Sequence, residues 1–137
     1  MFPPKPPKGA DPRMYFFLFL LTLGTTLGYQ GWTLLYTNFA VESAHLSAAD
    51  NGLVQSLREV PGLLGFLIIP LLLVMKEHRV AAVAALATGL GTALTGFFPS
   101  FVPVILTTLL MSFGFHFFEA VNQSLLLQYF DVHTTPV

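Results

Sequence analysis

The chain has 137 residues, 54% hydrophobic and 9% charged, with a net charge of -1 and no cysteine. An ordinary soluble domain carries about 25% charged residues, and a chain this short has no soluble core large enough to hide its uncharged runs. The composition argues against nucleic-acid binding and excludes disulfides, thiol catalysis and thiolate metal sites. It predicts an all-α membrane protein with several crossings.

Residues 1–13 carry prolines at positions 3, 4, 6, 7 and 12 together with Lys5, Lys8 and Arg13. Proline blocks helix propagation, so this stretch predicts an extended, basic tail. Residues 14–41 hold no charge and exceed the roughly 20 residues needed to cross hydrocarbon. They also exceed the 7–15 apolar residues of a signal peptide. On a helical wheel Thr22, Thr26, Tyr29, Thr33 and Tyr36 share one stripe, and Gly24, Gly28 and Gly31 lie on another face. The glycine face, with Gly24 and Gly28 four apart, is suited to close approach by a neighbouring backbone. The hydroxyl stripe suits either a water-filled cavity or hydrogen bonding between helices.

After a short link without Lys or Arg, Ser47 and Asp50 have the spacing of a capping box, with Asp in place of Glu. They open a second predicted span, residues 48–75. Asn51, Gln55, Arg58, Gly62 and Gly65 share a face of this span, with Glu59 on its flank. Pro61 and Pro70 are expected to bend it. Arg58 lies about 15 Å into the helix at about 1.5 Å per residue. A buried charge costs roughly 2.5–3.5 kcal/mol on insertion scales, so the Arg58–Glu59 pair is expected inside a bundle or a wet cavity.

Lys76-Glu77-His78-Arg79 predicts a tight charged connection. The third predicted span, 80–98, carries no ionisable group. Its Thr88, Gly91, Thr92 and Thr95 form a small-residue packing face. Residues 97–101 predict a short turn with aromatics at an interface. The fourth span, 102–130, carries a stripe of Thr108, Ser112, His116, Glu119 and Gln123, widened by Asn122. His116 and Glu119, three residues apart, can share a proton. Residues 131–137 are expected to form a cytoplasmic end. Apart from Arg58, every Lys and Arg lies before span one or between spans two and three, which places the amino terminus and that loop in the cytoplasm.

No nucleophile motif, phosphate loop or zinc motif occurs, so neither an enzyme nor a metal or cofactor site is expected. The four ionisable groups within spans, Arg58, Glu59, His116 and Glu119, favour transport. Thr26, Tyr29, Thr33, Gln55, Ser112, Asn122 and Gln123 are the candidate cavity lining. The depths allow an Arg58–Glu119 bridge as one arrangement.

With its cytoplasmic start, very short loops between spans one and two and between three and four, polar stripes in spans one, two and four and bland third span, the chain resembles the first four helices of a major facilitator superfamily transporter. The stretches Arg58-Glu59-Val60-Pro61-Gly62-Leu63-Leu64-Gly65 and Gly114-Phe115-His116-Phe117-Phe118-Glu119 are also similar to a bacterial branch of that superfamily. Where the family has roughly G-x-x-x-D-R-x-G-R-R, this chain reads Leu71-Leu72-Leu73-Val74-Met75-Lys76-Glu77-His78-Arg79; it keeps basic and acidic residues but not the glycine and aspartate. The resemblance implies a bacterial inner-membrane secondary transporter of a small solute, present here as an amino-terminal portion. Tyr29, Thr33, His116, Glu119 and Gln123 would line its cavity, and Glu119 would exchange a proton tuned by His116. Arg58 would either bind an anionic solute or be neutralised by a carboxylate. Expected partners are the lipid bilayer, the solute, protons, and the remaining helices of a longer chain. The alternative is a self-contained four-span protein that acts as an oligomer, either a small exporter or an assembly subunit.

Overall fold

The computed structural model describes residues 11–129, which are helical almost throughout and contain no strand. The predicted tail at 1–10 and the predicted end at 130–137 lie outside the described residues. Helix α1 spans Pro12–Asn38, so it starts two residues before the expected boundary. Proline costs nothing at a first helical position, where its missing N–H would have no intrahelical partner. Asp11 supplies the cap, accepting a hydrogen bond from the Arg13 amide at 2.9 Å. A π-helical segment, Phe39–Ser43, continues α1. The chain then reverses through His45, which has a left-handed φ of 50°.

Helix α2, Ala48–Leu63, opens on the expected capping box. The Ser47 hydroxyl accepts from the Asp50 amide at 3.1 Å, and the Asp50 carboxylate accepts from the Ser47 amide at 3.1 Å. The predicted second span is not one continuous helix. It narrows to a 3₁₀ turn at Gly65–Leu67 and resumes as α3, Ile68–Val74, with a bend of 46°. The break falls between Pro61 and Pro70, each of which removes an amide from the helical ladder.

Helix α4 spans Glu77–Thr95. It takes in Glu77, His78 and Arg79, which the sequence reading assigned to the connection. A carboxylate in the first turn complements the helix dipole, and the break narrows to Met75 and Lys76. A short turn leads into α5, Phe101–Tyr129. Helix α5 is by itself long and apolar enough to cross a membrane, and the bent α2–α3 pair passes the same measure as a unit.

Two apolar clusters anchor the bundle at opposite ends. At one end Tyr15 and Leu18 of α1 meet Val80, Ala81 and Ala84 of α4 and Phe118, Val121 and Leu125 of α5. At the other, Trp32 and Tyr36 of α1 and Ala40 meet Val54 of α2 and Val104 and Met111 of α5. The start of α1 therefore lies against the end of α5, so these helices run antiparallel. Between the clusters, α4 and α5 approach backbone to backbone. A Cβ on Gly91 would collide with the Met111 main chain, and one on Gly114 would lie 2.6 Å from the Ala84 carbonyl. The glycine face of α1 is used more sparingly than expected. Gly28 meets Thr88 and Thr92, whose hydroxyl donates to the Gly28 carbonyl at 3.1 Å, whereas Gly24 and Gly31 have open space where a Cβ would stand.

Candidate functional site

The waist between the two clusters gathers the polar residues of three helices. Arg58 of α2 lies with its guanidinium 5.5 Å from the centre of the Trp32 ring of α1, within the range of a cation–π attraction. Its Nε and Nη2 both donate to one carboxylate oxygen of Glu59, at 2.9 and 2.6 Å. The pair is asymmetric: the Arg58 side chain is 21% exposed and that of Glu59 59%. The Ser112 hydroxyl of α5 donates to the Arg58 carbonyl and ties the two helices at this level. The proline at position 61 leaves the Leu57 carbonyl without its usual partner, so the ladder is already loosened where Ser112 reaches in.

One turn further along, His116 of α5 rests on Gly62 of α2. A Cβ at position 62 would stand 3.0 Å from its Cε1 and 3.2 Å from its Nε2. Gly62 is therefore the seat of the imidazole, and a side chain there would push the ring aside. Phe115 turns toward α1 and stacks on Tyr29 with ring centres 3.8 Å apart and planes 12° from parallel.

An Arg58–Glu119 bridge, one of the arrangements the depths allow, is not formed; the adjacent Glu59 takes the guanidinium instead. Glu119 lies about 6 Å along α5 from Phe115, at about 1.5 Å per residue, and is exposed. Among the described residues it has no ion pair, and no hydrogen bond joins it to His116. Because α1 and α5 are antiparallel, Thr26 stands at nearly the same depth as Glu119, and Thr22 at nearly that of Gln123. All four are exposed. Thr33 is exposed and donates to the Tyr29 carbonyl at 3.0 Å. Gln55 is half-buried, and Asn122 buries its side-chain oxygen without a protein partner.

The outer surface is divided by chemistry. On α1 the exposed Thr22, Thr26 and Thr33 occupy a sector roughly 120° from the exposed Leu20, Leu27 and Leu34. On α5 the exposed Glu119 and Gln123 are turned away from the exposed Leu106 and Leu110. Helix α1 thus has a packed face, an apolar outer face and a polar open face, whereas on α5 the polar sector also carries Leu127, 84% exposed and four residues after Gln123. Sequence reasoning identified the polar stripes but missed Trp32 and Phe115 as members of the waist. Trp32 is the single tryptophan of the chain and sits one residue from Thr33, the only signal that pointed to it.

No described protein family, curated protein or solved structure matches this chain. Among the described residues, no group of three or more His, Asp or Glu is placed to hold a metal ion.

Proposed function

We propose that the chain is the amino-terminal four-helix portion of a major facilitator-type secondary transporter in a bacterial inner membrane. Its spans are α1, the bent α2–α3 pair, α4 and α5. The observation that carries this reading is the split exterior. Large apolar side chains such as Leu34, Leu63, Leu73 and Val74 are 74–84% exposed, a surface that belongs in lipid rather than water. Thr22, Thr26, Glu119 and Gln123 occupy a separate open face. A carboxylate is costly against hydrocarbon, so that face belongs to a hydrated cavity.

The remaining parts fall into roles. With its charge committed to Glu59 and its face to Trp32, Arg58 serves as a fixed polar link between α1 and α2. Glu119, free of a protein cation, is the group available to take up and release a proton, with His116 one turn away on its Gly62 seat. Four spans supply one side of a cavity, and alternating access requires a second side, which further helices of a longer chain would provide.

The test is solute accumulation in vesicles under an imposed proton gradient. Accumulation is expected with the full-length protein that carries the further helices and is expected to fall to background in its Glu119→Gln variant. Undiminished accumulation in Glu119→Gln would remove the coupling role. A failure of every solute offered to move, or to drive proton flux, would remove transport itself.

A further inference from the structure

Three rings at the waist form one layer across the bundle. Tyr29 of α1 lies against Phe115 of α5 with ring centres 3.8 Å apart and planes 12° from parallel, a face-to-face contact that leaves no space for water between the rings. The Phe115 ring meets His116 edge-on, with centres 5.5 Å apart at 71°, and the imidazole rests on Gly62 of α2. The layer therefore reaches from α1 across α5 to α2.

Exposure changes across it. Thr26, three residues before Tyr29, and Glu119, four residues after Phe115, stand on the same side of the layer because α1 and α5 are antiparallel, and both are exposed. On the other side, three residues after Tyr29, Trp32 is only 3% exposed. Tyr36, stacked on it with ring centres 4.3 Å apart, is 2% exposed. Tyr29 itself packs on the apolar cluster that holds both. The Trp32 indole N–H and the Tyr36 hydroxyl are shut off from solvent and have no hydrogen-bond partner in the protein. Such groups gain a hydrogen bond from any water that reaches them, so hydration is favoured there and only steric closure keeps water out.

We infer that the Tyr29–Phe115 stack is the closed end of the hydrated cavity, a seal that stops water and solute about one turn short of the Trp32 ring. The inference rests on the reading of Thr22, Thr26, Glu119 and Gln123 as a hydrated face, and it assigns Tyr29 and Phe115 to the barrier rather than to solute binding. Glu59, whose side chain is 59% exposed on the flank of α2, lies outside this boundary. What the seal shields is the Trp32 side of the guanidinium.

The experiment is collisional quenching of Trp32, the single tryptophan, by acrylamide in the chain reconstituted into lipid nanodiscs. Weak quenching is expected for the native chain. Phe115→Ala and Tyr29→Ala are each expected to raise it severalfold and to shift the emission to longer wavelength as water reaches the indole. Tyr29→Phe keeps the stacked ring and is expected to behave as native. Phe113→Ala removes the same kind of ring from the opposite side of α5, where Phe113 faces Leu71 and Ala84, and is also expected to behave as native. Quenching that stays at the native level in Phe115→Ala, or that Phe113→Ala raises equally, would overturn the seal. Maleimide labelling of Thr26→Cys separates the two levels, since the chain has no other cysteine. An unreactive thiol removes the hydrated cavity and the seal with it; a reactive thiol with quenching unmoved by Phe115→Ala removes the seal alone.

Discussion

Arg58 shows how a charge can be accommodated in an apolar helix without a distant partner. Its neighbour Glu59 accepts two of its N–H groups, and the Trp32 ring offers its negative face. Neither contact is worth much in water, where exposed pairs contribute about 0–1 kcal/mol, but both strengthen as the surroundings become less polar. Because Trp32 is the only tryptophan, its fluorescence reports directly on this site. Arg58→Met is expected to change the intensity and wavelength of Trp32 emission, because the cation over the ring is lost. Glu119→Gln, further along α5, is expected to leave the spectrum unchanged. A spectrum that does not respond to Arg58→Met would mean that the guanidinium does not occupy the ring face. The pairing of Arg58 with Glu59 was open to a reader of the sequence, since the residues are adjacent, yet the chain contains other carboxylates and only the fold selects among them.

At the scale of elements, helices pack where glycine lets them. Gly91 and Gly114 face the backbone of the opposite helix across the α4–α5 contact, and neither site has space for a methyl group. Gly91→Ala is expected to destabilise the bundle by about 1–3 kcal/mol, the usual cost of overpacking. Gly24→Ala, with nothing within 4 Å of the new Cβ, is expected to be neutral or to stabilise by up to about 1 kcal/mol through helix propensity. Unfolding in mixed micelles with a rising fraction of denaturing detergent would compare the two, and an equal response would contradict the packing described for α4 and α5. Periodicity identified the small-residue faces of both α1 and α4. It could not rank them, because closeness depends on where two helices cross. The bend in the second predicted span has the same character. Two prolines announced it, but the 3₁₀ turn at Gly65–Leu67 lies between them rather than at either one.

At the scale of the whole molecule, the proposed four-span arrangement, with every Lys and Arg except Arg58 before span one or between spans two and three, makes a topological prediction. The chain contains no cysteine, so single cysteines can be introduced on a silent background. His45→Cys in the α1–α2 turn and Phe98→Cys in the α4–α5 turn are expected to react with a membrane-impermeant maleimide added outside intact cells. Lys76→Cys is expected to react only after the membrane is opened. Labelling of all three from one side, or a reversed pattern, would remove the four-span arrangement with a cytoplasmic amino terminus. The Glu77 clamp to Ser124 and Gln128 belongs to this scale as well, because it joins the cytoplasmic ends of α4 and α5 under this topology.

The sequence by itself determined what is local. Charge-free runs announced the helices, and Ser47 with Asp50 announced the start of α2, because a cap is made by residues three apart. Helical spacing sorted the polar stripes on α1, α2 and α5, since side chains three and four apart share a face regardless of the surroundings. Only the tertiary structure decided which faces meet. The seating of His116 on Gly62, the Tyr29–Phe115 stack, the Trp32–Arg58 contact and the Gly91–Met111 approach each join residues from different helices. Their formation depends on the crossing points and relative heights of the helices. Those are fixed by packing the two apolar end clusters together, a condition on the whole bundle that no single segment of sequence carries.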